Sequence, residues 1–190
     1  MDQTNTPQPL SGRELLGIEL EILRYPDPTL KKPTEPVTAF DEDLAGFVEK
    51  LYAAMRAHDG VGLAAPQVGV LKKIAVVEYE GKSYTLINPR VLEKRGEQEA
   101  EEGCLSFPGI YALVKRPEWV RIESQGLDGQ THVLEAEGFV ARAFLHEMDH
   151  LDGHLFIDYL TPLKRGAIRK KMMKQTRGTS AEPPRASRRR

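Results

Sequence analysis

The stretch His146-Glu147-Met148-Asp149-His150 decides how the rest of the chain is read. On an α-helix, positions four apart lie about 40° from each other around the axis, so His146 and His150 share a face. Two imidazoles placed this way can take two adjacent corners of a tetrahedral metal site. Glu147, about 100° further round, can reach a water at such a metal without ligating it, which is the place of a general base. The pentapeptide is short, and an ordinary helix carrying two histidines would read the same. Its flanks argue against that. Ala141, Ala143, Phe144, Leu145 and Leu151 make the helix apolar on most sides, as expected of a buried one. Burying two histidines and two carboxylates is costly unless something charged sits among them.

With 190 residues, 40% hydrophobic and 29% charged, the composition is that of a soluble globular protein with room for one sizeable core. The opening MDQTNTPQPLSGRELL has neither the basic region nor the apolar run of a signal peptide, and no segment is long enough to span a bilayer. A membrane partner is therefore not expected. The single cysteine, Cys104, excludes an internal disulfide and fits a reducing cytoplasm. That thiol is a buried hydrophobe, a nucleophile or a ligand. The net charge of −1 hides an asymmetry: eleven Lys/Arg against Glu182 from position 164 onward give +10, which leaves −11 on residues 1–163.

Along the chain, residues 1–17 are expected to form a flexible arm, and the alternation in IELEILR predicts a short strand over 18–24. Pro26, Pro28, Pro33 and Pro36 then break regular structure into a surface loop. Asp41 can cap a helix running to about His58, with Leu44, Phe47, Val48, Leu51, Tyr52 and Met55 as its apolar stripe. GVGLAAPQ at 60–67 is a run of small residues in which two glycines let the backbone approach a ligand closely. It is not a P-loop, since no Gly-Lys-Ser/Thr follows, and by itself it would be read as a turn. Strands are predicted over 73–80, 83–87, 91–95, 112–114, 119–124 and 132–136, with turns at 80–82 and 127–130 and a break at Asn88-Pro89. The acidic run 97–102 is expected to be exposed for most of its length, and 103–109 to be an extended segment carrying Cys104. Asp152-Gly153 ends the histidine helix, and Pro162 can start a last helix over roughly 163–175. From Thr176 the sequence reads as a basic, disordered tail.

Three separated pieces, GVGLAAPQ at 60–67, EGCLS at 102–106 and HEMDH at 146–150, resemble in order and spacing the peptide deformylases, which remove the formyl group from N-formylmethionine on new bacterial polypeptides. The resemblance spans roughly 18–163. It departs at Leu145, where the family often has glutamine; on a helical wheel this residue faces away from the metal side. The expected fold is α+β: antiparallel or mixed sheets packed around a central metal-binding helix, with a helix in the N-terminal half and another near the C-terminus. The catalytic domain would cover 18–175 and the tail 176–190.

On this reading Cys104 joins His146 and His150 to hold one divalent metal, with a fourth position open to water or substrate. Sulfur and imidazole ligands accept Fe(II), Zn, Ni or Co, and the resemblance implies Fe(II) as the native ion. It further implies that Gln67 and the Leu105 N–H stabilise the oxyanion, while Glu147 moves the proton. Gly62 would bind the substrate main chain, and Val61, Phe139 and Ala143 would wall the methionine pocket. Arg142 is a possible neighbour of that pocket. Glu102 is expected to pair with Arg116, the place of a basic residue in the family. The implied partners are N-formylmethionyl nascent chains and, through the basic C-terminal segment, the phosphate-rich ribosome surface. A zincin-type peptidase also uses HExxH, but His154 and Asp158 lie too close behind the helix to serve as its third ligand, and it has no use for Cys104 or GVGLAAPQ. A non-catalytic metal-binding or docking module would have no need of Glu147.

Overall fold

The computed structural model describes residues 20–179. The arm expected over 1–17 and the tail over 180–190 lie outside the described residues. Helix α1 (Glu42–Ala57) starts where the Asp41 carboxylate accepts from the Leu44 N–H at 3.0 Å, the N-cap that the sequence suggested. Its stripe of Leu44, Phe47, Val48, Leu51, Tyr52 and Met55 is buried. Each such side chain contributes roughly 1.5–3 kcal/mol by leaving water.

Seven strands follow. They are β1 (Gly62–Ala64), β2 (Ile74–Tyr79), β3 (Lys82–Arg95), β4 (Gln98–Gly103), β5 (Tyr111–Arg116), β6 (Trp119–Gln125) and β7 (Thr131–Glu137). Five form an antiparallel sheet in the order β1-β2-β3-β6-β7, while β4 and β5 make a separate two-stranded ribbon. Along β2 the side chains alternate between two cores. Ile74 and Val76 join Leu51 and Met55 of α1 on one face; Ala75 and Val77 join Phe144 and Leu145 on the other. The latter two belong to α2 (Gly138–Leu151), the histidine helix. A strand covered on both faces is apolar throughout, as IAVV is. A third cluster unites Phe107, Ile110 and Val114 with Leu155, Phe156 and Ile157, and with Met172 of the last helix, α3 (Pro162–Thr179). Helix α2 therefore lies between the large sheet and the ribbon, and the class is α+β as expected.

Local signals account for most element ends. The β2–β3 hairpin turns on Glu80 and Gly81, both with φ > 0, which suits a two-residue turn whose twist matches the strands. Lys82 already pairs with Tyr79. Gly153 (φ 73) closes α2, and a Cβ there would stand 2.6 Å from the Lys31 carbonyl oxygen.

Four expectations are corrected. No strand forms over residues 20–24: the Leu23 and Tyr25 N–H groups go to the carbonyls of Gln67 in a short 3-10 helix and Ser106 in a turn, rather than to one ladder. Asn88-Pro89 does not divide two strands. Asn88 (φ 50) forms a bulge held by Val37 and Gln125, and β3 runs through it. The acidic run is exposed along most of its length, as expected; it forms strand β4 and buries Glu102. Cys104 sits in a turn, closed by the Phe107 N–H on its carbonyl, rather than in an extended segment. The tail expected from Thr176 begins inside α3, which reaches Thr179.

Replacing Asp41 with alanine should lower unfolding free energy by about 1 kcal/mol in urea titrations, the usual cost of a lost N-cap. An unchanged midpoint would mean that packing alone fixes the start of α1.

Candidate metal centre

Helix α2 brings His146 and His150 to one face, and the turn after β4 brings Cys104 against them. The ligating atoms of the three lie within 4.8 Å of one another, with Cys104 Sγ 3.3 Å from His150 Nε2. Atoms bound tetrahedrally to one ion at the usual 2.0–2.3 Å stand about 3.3–3.6 Å apart, so the donor set fits a divalent metal. His146 Nδ1 is 3.0 Å from Glu102 Oε2, which leaves its Nε2 lone pair for an ion. Burial pushes His150 well below the ordinary histidine value, so it is a neutral donor. For His146, burial lowers the pKa but hydrogen bonds to Cys104 and Glu102 outweigh it and draw it well up, so an ion would take the Nε2 position by displacing a proton.

Glu147, next in sequence, is buried, with Oε2 unpartnered among the described residues. Burial raises its carboxyl to about 7, where a group can both take and give a proton near neutrality. Gly62 lies beside it on β1, the edge strand of the sheet. A Cβ on Gly62 would overlap Glu147 Oε1 and come within 2.8 Å of Cδ. The glycine is therefore required by close approach.

Gln67 is fixed at both ends. Its Oε1 accepts from the Ala64 N–H at 2.8 Å, and its Nε2 points to Cys104 Sγ at 3.5 Å and Ser106 Oγ at 3.2 Å. The Leu105 N–H makes no hydrogen bond among the described residues. A cavity of about 530 Å³ opens over the cluster, and Val61, Gly62, Gln67, Leu105, Phe139 and Ala143 all line it. So do Cys104, His146 and Glu147, whereas His150 is enclosed at 1% exposure and is not on the wall. Phe139 is partly exposed and packs on Tyr79, ring centroids 4.5 Å apart.

Beneath the ligands the Glu102–Arg116 pair is present and almost fully buried, Arg116 Nε and Nη2 meeting the two carboxylate oxygens at 2.8 and 2.9 Å. Burial alone would raise the Glu102 carboxyl, but the hydrogen bonds from Arg116 and His146 win and hold it at about 2. Since this lies below the ordinary 4.5, its contribution to stability is complete above that pH and is lost as pH falls toward 2. Two members of this network were not anticipated as partners of Glu102 and Arg116, although Arg142 lines the cavity, as the sequence reading expected. Asp149 takes Arg116 Nη1 at 2.6 Å, and Arg142, on the cavity wall, bonds Glu102 Oε1 at 2.8 Å through Nη1 while its Nη2 is buried without a partner among the described residues. The cost of two carboxylates in a buried helix was a hint to the first; nothing local pointed to the second.

A thiol and two imidazoles gathered under an open cavity, with a buried carboxylate at their side, form the centre of a metal-dependent hydrolase. The comparisons narrow the class. Residues 19–166 match the family model described as polypeptide deformylase. A peptide deformylase of Acidobacterium capsulatum is 42% identical over 161 residues, covering 82% of this chain and 95% of the relative. Peptide deformylase 1 of Bacillus cereus is 48% identical over 144 residues, covering 75% and 92%. The crystal structure of a peptide deformylase from Legionella pneumophila superposes with a TM-score of 0.81 at 38% identity, covering 87% of this chain and all of that one. The chain belongs to the polypeptide deformylase family.

Gly62→Ala should fold and keep its metal, yet lose on the order of 10²-fold in turnover because the Glu147 carboxylate is displaced by about 1 Å. Full turnover in this variant would show that Glu147 does not need the space.

Proposed function

We propose that the chain hydrolyses the formyl group from the N-formylmethionine that begins new polypeptides. The observation that carries this is the Cys104–His146–His150 cluster with Glu147 Oε2 beside it, buried and unpartnered among the described residues. Cys104, His146 and His150 would hold one divalent ion, Fe(II) in the native state, with Zn, Ni or Co able to replace it. When bound, such an ion supplies Lewis acidity and lowers the pKa of water from about 16 toward about 7.

Glu147 takes a proton from the attacking water as the new C–O bond forms at the formyl carbon. It delivers that proton to the amine nitrogen as the C–N bond breaks, giving formate and a free methionyl amine. The oxyanion formed between these steps is met by the Gln67 Nε2 amide and the Leu105 N–H, which has no other acceptor among the described residues. The substrate main chain lies along the free edge of β1 at Val61 and Gly62 as an added strand. Val61, Phe139 and Ala143 enclose the methionine side chain.

The proposed catalytic domain covers residues 18–175, and its setting is the cytoplasm, where nascent chains emerge. Among the described residues no helix is long and apolar enough to cross a membrane. The proposed docking partner is the ribosome surface. Lys164, Arg169, Lys170 and Lys174 are exposed on α3, within a C-terminal stretch of charge +10 that suits RNA phosphate.

Formate release from formyl-Met-Ala-Ser tests the reaction directly. Glu147→Gln should keep its metal while turnover falls by about 10²–10⁴-fold, whereas Cys104→Ala, His146→Ala and His150→Ala should each lose metal. Near-normal turnover in Glu147→Gln, or full metal in Cys104→Ala, would remove the assigned roles. For the partner, co-sedimentation with ribosomes should weaken steeply between low and moderate salt and vanish on truncation after Pro162. A cut after Gln175 should leave peptide deformylation intact. Equal sedimentation of all three chains would leave the basic segment without this role.

A further inference from the structure

The three ligands stand on two parts of the fold that share no ladder. Cys104 follows β4 of the ribbon, the histidines lie on α2, and the ribbon is not hydrogen-bonded as a strand to the five-stranded sheet. The distance from thiol to imidazoles must therefore be set by side chains that cross the seam. Arg116 crosses it to Asp149, Glu102 to His146, and Gln98 Nε2 to the Gly138 carbonyl at 2.7 Å.

Arg142 makes the widest crossing. It stands on α2 one turn before His146, and its Nη1 donates to Glu102 Oε1 at 2.8 Å, to the Val114 carbonyl at 3.1 Å and to the Ala100 carbonyl at 3.3 Å. Ala100 and Val114 are cross-strand partners. A single nitrogen thus holds both strands of the ribbon at one rung, together with the carboxylate that orients His146. The residue is 4% exposed, and it is not one of the clustered donors.

We propose that Arg142 is a positioning residue for the metal site, pinning the cysteine-bearing ribbon to the histidine-bearing helix so that the ligand set is preformed. The inference rests on the metal-centre reading above. A packing role makes a different demand, because methionine at 142 would fill similar space. It would leave the Ala100 and Val114 carbonyls without their tie to α2 and Glu102 held from the ribbon side by Arg116 alone.

The test is Co(II) titration of the full chain after chelation, read by thiolate-to-cobalt charge transfer and by the tetrahedral ligand-field bands. Arg142→Met should raise the cobalt dissociation constant by about 10–100-fold, as loss of an outer-sphere partner does, and weaken the charge-transfer band with far-UV dichroism unchanged. Arg142→Lys restores a cation with three donors for the three acceptors and should recover most of the affinity. Combined with Glu102→Gln, the loss should be less than additive, since the arginine acts partly through that carboxylate. Wild-type affinity and spectrum in Arg142→Met, equal losses in the Met and Lys variants, or strict additivity with Glu102→Gln would each overturn the proposal. Should Arg142→Met not fold, Arg142→Gln is read by the same criteria. Failure of the wild-type chain to bind cobalt would count against the metal centre itself and not against Arg142.

Discussion

The buried charge of Glu102 is the constraint on which the centre depends. Removing a carboxylate from water costs several kcal/mol unless its oxygens are well used, and here four nitrogens use them. Arg116 approaches as a fork, Arg142 joins one oxygen, and His146 Nδ1 meets the other. The remaining Arg116 nitrogen, Nη1, is met by Asp149, whose other oxygen accepts from Tyr159, and the Tyr159 ring lies under the Arg116 guanidinium at 4.5 Å. Ribbon, helix and the turn at residues 156–159 are thus tied at one point. Such a network stabilises little compared with an apolar core of the same volume, but it allows only one relative placement of its members. A site whose parts must agree to within a fraction of an ångström has more use for that than for bulk stability.

The large sheet supplies the other half of the rigidity. Because β2 is covered by α1 on one face and α2 on the other, neither helix can shift without opening a close-packed layer. Leu145 belongs to that layer at 5% exposure, on the side of α2 away from the ligands. The departure from the family's frequent glutamine therefore falls in the packing and leaves the cluster of Cys104, His146 and His150 intact.

What could be read in advance divides along physical lines. Helix α1, the hairpin at Glu80-Gly81 and the end of α2 at Gly153 were legible because a cap, a positive-φ turn and a C′ glycine are written within a few residues. The cluster was legible because the three motifs are short and chemically specific, whereas Phe139 and Ala143 of the cavity wall were anticipated through family resemblance. Strand β4 was not, since five of its six residues face solvent or are half-exposed and its one buried member is an acid whose partners lie far away in sequence. Nor were residues 20–24, where alternation was real but the acceptors lie in a 3-10 helix and a turn. Asp149 and Arg142 needed the register of α2 against the ribbon, which no local pattern encodes. The Glu102–Arg116 pair was anticipated through family resemblance, not through spacing.

The separation of the donors along the chain has a consequence for how the molecule reaches its working state. The β2–β3 and β6–β7 ladders close short loops, which costs little entropy and permits early formation. The meeting of Cys104 with His150 spans 46 positions and must await docking of the ribbon on the helix. Until then the chain offers a pair of imidazoles, a weak chelate common to many sequences. Docking of the ribbon on the helix brings the thiol to the pair and completes the tridentate donor set. The complete donor set is therefore a property of ribbon and helix docked together, and the sheet alone does not create it.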